Sequence, residues 1–161
     1  MIRVSVLILS GALLLNACEK AQLNIYIASK EAQPGLREAN VKAFPKLGYV
    51  AEKPDLTISE LEGVSYGPPK VPLGVDPRKA NADEDTTVLV LQLTQHDAEV
   101  LNQLTSKHIG DRLLVLLNDD PLFAPEIRTP STGHSVYITP PMGTDTDKIK
   151  AKLDTLVKES K

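Results

Sequence analysis

Apolar and polar positions are patterned most clearly in the second half of the chain. Residues 87–93 (TVLVLQL) are rich in β-branched and aliphatic side chains and lack Gly and Pro, which predicts a buried strand. Thr94 stands three residues before Asp97, the spacing of a helix capping box. Ala98, Leu101, Leu104 and Ile109 then recur at roughly helical spacing, while Asp97, Glu99, Gln103 and Lys107 point elsewhere. Gly110 tolerates the left-handed conformation that ends a helix.

Beyond that helix, residues 112–117 (RLLVLL) predict a second buried strand, and Asn118, Asp119 and Asp120 a turn, since Asn and Asp bond their own backbone and accept positive φ. Residues 122–127 are expected to return antiparallel. Pro121 and Pro125 have no N–H for a ladder, which places this strand at an edge or makes it irregular. After a turn at 130–133 comes a strand at 135–139. A last helix starts near Thr144 or Asp145, with Ile149, Leu153 and Leu156 on one face. Hairpin strands and singly striped helices predict an α+β fold: an antiparallel or mixed sheet with the helices near 95–109 and 145–158 packed on one face.

Leu93, Thr94, Thr105, Gly110, Arg112, Leu113, Leu117, Asn118, the run 124–127 (APEI), Thr132, Gly133, Ile138 and Thr139 together resemble the head subdomain of the first periplasmic domain of SecD, an accessory subunit of the bacterial Sec protein-export machinery. The stretch 105–127 fits that family's pattern without a gap, and residues 49–57 (YVAEKPDLT) are similar to its first strand. Asn118 and Asp119 stand where the family usually has Asp-Gly; Ser131, His134 and Pro140 also depart from the pattern. These changes fall in turns and edges. What the resemblance implies is the fold over 49–158 and contact with polypeptide chains, the exported ones included.

The N-terminal residues follow a different rule. Arg3 gives a positive start, and residues 4–15 are apolar but too few to span a bilayer, which predicts a signal peptide over 1–17. Residues 15–18 (LNAC) resemble the lipobox of bacterial lipoproteins. That resemblance implies cleavage after Ala17 and a lipidated Cys18 carrying N-palmitoyl and S-diacylglycerol groups. Cys18 is the only cysteine, so no disulfide framework is available. Several acyl chains give lasting anchorage at about 0.8 kcal/mol per CH₂. Glu19, by the sorting rule of such lipoproteins, implies the outer membrane and a periplasm-facing domain.

The remaining chain has 144 residues, 161 less 17, enough for one core. Its charge is −4, from 17 Lys and Arg after removal of Arg3 against 21 Asp and Glu. A weakly acidic chain without a basic block excludes nucleic acid as an expected partner. Residues 23–28 (LNIYIA) read as an alternating strand; 29–54 are irregular, with one helical turn or none at 36–44. The organisation is therefore a lipidated N-terminal segment with a first strand over 18–48, then the α+β domain. Residues 66–85, rich in Gly and Pro, are expected to form an exposed loop in which Val71, Leu73 and Val75 can pack as an extended strip.

Candidate chemistry is sparse. His96 and His108 are twelve residues apart on one helix, about 18 Å, too far to share an ion. Asp119 with Asp120, and Asp83, Glu84 and Asp85, lack the facing geometry of glycoside hydrolysis and the spacing of a Ca²⁺ loop, and read as solvated turns. Ser131 and Ser135 near His134 lie outside any G-x-S-x-G elbow, and no phosphate-binding glycine motif is present. No catalytic, cofactor or metal residue is expected. The expected function is a non-enzymatic, membrane-anchored periplasmic lipoprotein that binds protein or peptide. A small periplasmic enzyme with an unrecognised active site and a purely structural envelope lipoprotein are the alternatives left open.

Overall fold

A computed structural model describes residues 21–67, 88–141 and 143–158. Cys18, the signal segment 1–17 and residues 68–87 lie outside the described residues. In chain order the elements are β1 (Leu23–Ala28), β2 (Leu36–Glu38), β3 (Tyr49–Ala51), β4 (Leu56–Ile58), β5 (Leu61–Gly67), β6 (Val88–Leu93), α1 (Gln95–Lys107), β7 (Arg112–Leu117), β8 (Asp120–Phe123), β9 (Ser135–Ile138) and α2 (Thr146–Asp154).

The fold is α+β, and the expected sheet is three antiparallel sheets. The largest has the order β4-β1-β7-β8, a smaller one β5-β6-β9, and β2 pairs with β3. β1 is central. Leu23, Ile25 and Ile27 lie opposite Leu117, Val115 and Leu113 on one face; Asn24, Tyr26 and Ala28 lie opposite Leu116, Leu114 and Arg112 on the other. Both faces are covered. The first joins a large core with Leu89, Leu91, Leu93 and Ile138 of the smaller sheet. The second packs on Ala39, Val41, Phe44, Leu47 and Val50, which belong to the irregular stretch around β3. β1 is thus buried on both sides apart from half-buried Tyr26, where its sequence suggested one wet face.

Both helices send their apolar stripes to the large core: Ala98 and Leu101 from α1, Ile149 and Leu153 from α2. The cap of α1 forms as the spacing predicts, with Thr94 Oγ1 accepting from the Asp97 N–H at 3.2 Å and donating to Asp97 Oδ2 at 2.9 Å. The helix stops at Lys107, two residues short of Ile109, which is 52% exposed rather than part of the stripe. Gly110 follows at φ +94° and donates to the Ile127 carbonyl at 2.8 Å. α2 is shorter than expected; its turn ends by Asp154 and buried Leu156 belongs to the tail that follows.

Two further expectations need correction. Residues 49–57 are two short strands in different sheets, split where Pro54 interrupts the pattern. Residues 66–67, read as the start of the exposed loop 66–85, instead end β5, which pairs with β6 from Leu61 to Gly67 with one register shift after Leu61. Gly63 and Gly67 do not break this strand. A Cβ on Gly67 would meet Val90 Cγ2 at 2.5 Å, so the glycine makes room for a valine on the next strand.

Candidate interaction surface

Asn118 takes φ +54° in the turn between β7 and β8, a conformation Asn accepts at low cost. Its carboxamide Oδ1 accepts from the Gln22 N–H at 2.9 Å, and its own N–H donates to the Gln22 carbonyl at 2.8 Å. The first described residues are therefore fastened to the hairpin tip, and Ala21 already packs on the core.

β8 closes one end of the four-stranded sheet and carries Pro121. Its register with β7 shifts between Val115 and Leu116, so the edge is bulged as well as proline-bearing. Both features blunt an edge against uncontrolled pairing. Clefts flank this edge on opposite faces. One, about 440 Å³, is floored by Leu117, Leu122 and Ile149, with Lys148 and Lys152 at its rim. The other, about 490 Å³, is formed by Val41, Ala43 and Leu116, with Lys42 and Asp119 beside them. Pro121 belongs to both. Because successive side chains of an extended chain point to opposite faces, a polypeptide lying along β8 would place alternate residues in the two clefts. Asp120 is held by Lys152 at 3.0 Å, whereas Lys42 and Lys148 make no ion pair among the described residues.

The sequence-level candidates for chemistry are dispersed. His96 is exposed on α1, and His108 Nδ1 lies 3.1 Å from Asp111 Oδ2 beyond the helix end. His134 sits at the rim of an open cleft of about 360 Å³ against α1. Among the described residues no three His, Cys, Asp or Glu converge on a metal position. The Ser135 hydroxyl donates to Gln92 Oε1 at 3.0 Å, and the Ser131 N–H donates to Thr105 Oγ1 at 2.8 Å. Neither serine is hydrogen-bonded to His134. Asp83, Glu84 and Asp85 lie outside the described residues.

Among the described residues two groups are shifted, both at the surface. The Glu126 carboxyl is held below its usual range mainly by its hydrogen bond from Lys30 at 3.3 Å, with Arg128 adding attraction. The Tyr66 hydroxyl is pushed up by its hydrogen bond to Asp147, and Lys150 Nζ stands 5.7 Å from the tyrosine ring. These contacts tie β5 to α2.

No known family profile matches the sequence, and no curated protein matches it. Solved structures do. The membrane component SecDF that enhances protein export superposes with a TM-score of 0.54 at 16% identity, over 85% of this chain and 61% of that chain. SecDF in its super-membrane-facing form superposes with a TM-score of 0.56 at 17% identity, over 84% of this chain and 19% of that one. The chain thus spans less than two thirds of the length of either structure, and what the likeness shows is a SecD-like fold.

Proposed function

We propose that this chain is a non-enzymatic, membrane-anchored envelope lipoprotein that binds polypeptide segments, in connection with protein export. The observation that carries the proposal is the SecD-like fold, found in a component described as enhancing protein export. The β8 edge with its two clefts adds a place where an extended chain fits. Such a site takes affinity from main-chain hydrogen bonds and selectivity from alternate side chains.

Anchorage through Cys18, lipidated after cleavage at Ala17, puts the domain at a membrane surface facing the periplasm, with the outer membrane as the destination that Glu19 favours. Ala21, three residues past Cys18, already packs on the core, so such a tether would be short. Binding would take place close to the bilayer. The absence of catalysis belongs to the same proposal.

The test is photo-crosslinking in the cell envelope. A photoreactive residue at Lys42 or Pro121 is expected to capture exported polypeptides, and one at exposed His96 is not. Changing Cys18→Ala is expected to release the protein from the membrane fraction. Equal capture at all three positions, or none at the β8 edge, would sink the binding site; unchanged membrane partitioning of the Cys18 variant would sink the anchor.

A further inference from the structure

The two clefts along β8 differ in what they leave open. On one side the accessible side chains are apolar: Leu116 and Pro121, which pair across β7 and β8, with Val41, all half-buried, and exposed Ala43. Exposed Lys42 and Asp119, of opposite charge, flank them. On the other side the apolar floor is already shut away, with Leu117 at 1% exposure, Leu122 at 2% and Ile149 at 7%. What stands open there is polar: Asp120, Thr144, Asp145, Lys148 and Lys152 are all exposed. Asp120 is paired with Lys152 at 3.0 Å, and the Asp145 carboxylate accepts from the Lys148 N–H at 3.0 Å.

The main chain of β8 offers little to choose by. Pro121 has no N–H, and the register with β7 shifts beside it, so a guest chain finds few ladder bonds. Its side chains therefore decide how well it fits, and they meet one apolar flank and one charged flank.

We infer that this edge selects extended polypeptide segments in which apolar and polar residues alternate. The apolar ones turn toward Val41, Ala43, Leu116 and Pro121, the polar ones toward Asp120, Lys148 and Lys152. The inference rests on the polypeptide-binding reading above and narrows its substrate. Successive side chains of an extended chain point to opposite faces, so alternation satisfies both flanks at once. A run of consecutive apolar residues sets every second one against the charged rim, where it buries little. A run of polar residues sets every second one against the apolar flank, where it loses water without gaining a partner. The charges on each flank cancel, two carboxylates against two ammonium groups on one and Asp119 against Lys42 on the other, so neither sign of guest is favoured. Alternation is the pattern of a strand with one buried and one wet face, which makes the substrate class unfolded chains that later form such sheets.

Fluorescence anisotropy on the full-length chain tests this with two labelled peptides of identical composition and identical charged ends. In one, valine and serine alternate; in the other, the valines form one block and the serines another. Moving one or two valines off the apolar flank is worth about tenfold or more in affinity, so the alternating peptide should bind at least about tenfold tighter. Ala43→Glu, an exposed position checked for folding by circular dichroism, should weaken the alternating peptide by about tenfold by charging the apolar flank. Equal or tighter binding of the block peptide overturns the selectivity and leaves polypeptide binding standing. An alternating peptide unaffected by Ala43→Glu overturns the assignment to this edge. Binding of neither peptide overturns the selectivity together with the reading it rests on.

Discussion

Ile25→Ala tests whether the fold begins at β1 or only after residue 48. Ile25 is 4% exposed, lies opposite Leu56 of β4 and Val115 of β7, and belongs to the large core. Truncating a fully buried Ile in a core that cannot collapse around it costs about 2–5 kcal/mol, and a central strand flanked on both sides belongs in the middle of that range. For a chain of this size each kcal/mol lowers the melting temperature by roughly 3–4 °C, so the expected drop is about 10–15 °C. Leu36→Ala, on the two-stranded sheet and only half-buried, is the matched control and should cost less than about 1 kcal/mol. Thermal and urea unfolding of the chain from residue 18 onward, followed by far-UV circular dichroism, give both numbers. An Ile25→Ala cost equal to the Leu36→Ala cost would refute the reasoning, since a peripheral first strand loses little when shortened by three carbons.

Thr94→Ala removes the side-chain acceptor for the Asp97 N–H and should cost about 1 kcal/mol in the same unfolding experiment; no change would mean the cap is redundant. Gly48→Ala should cost more than about 2 kcal/mol, because φ is +109° and a Cβ would strike the Ser29 carbonyl oxygen. Gly35→Ala, at φ +85° in open space, should cost only the strain of about 1 kcal/mol, and equal losses at the two glycines would contradict the close approach at Ser29. The folded Glu126 carboxyl is depressed by Lys30, so the small stabilisation from this exposed pair is present above the usual carboxylate range and fades as pH falls through the folded value. An NMR titration should therefore show the Glu126 midpoint rising in Lys30→Met; an unmoved midpoint would assign the depression to another group.

Local signals predicted the elements best where they were complete within a few residues. Thr94 capping the Asp97 N–H with its hydroxyl, Asn118 at positive φ in its turn and Pro121 at an edge each act within a few residues, and each sits where that chemistry requires. The run 105–127 reads as one unit because its residues bond each other: Gly110 N–H to the Ile127 carbonyl, Ile127 N–H to the Asp111 carbonyl, Leu113 N–H to the Pro125 carbonyl. Thr105 is buried and accepts from the Ser131 N–H, a reason for a polar residue on the inner side of α1 that periodicity could not supply. What stayed hidden depends on partners far along the chain. β5 was obscured by Gly63 and Gly67, whose meaning comes from Gln92 and Val90 across the strand boundary. The second wet face predicted for β1 is covered by residues 39–50, a stretch without periodicity of its own. Ile109 fits a helical stripe in sequence and falls beyond the helix end in space. Of the candidate sites, the β8 edge was legible through Pro121, while its flanking clefts needed Val41 and Ile149 brought to either side of that proline.

Amide hydrogen exchange of the lipid-free domain, with and without a saturating unfolded polypeptide, tests the binding proposal most directly. The account predicts slowed exchange confined to residues 40–43, 119–124 and 143–152, where an added strand would lie along β8 between the two clefts. Slowing elsewhere with β8 unchanged would contradict the proposed site, and no slowing anywhere at saturating polypeptide would contradict polypeptide binding itself.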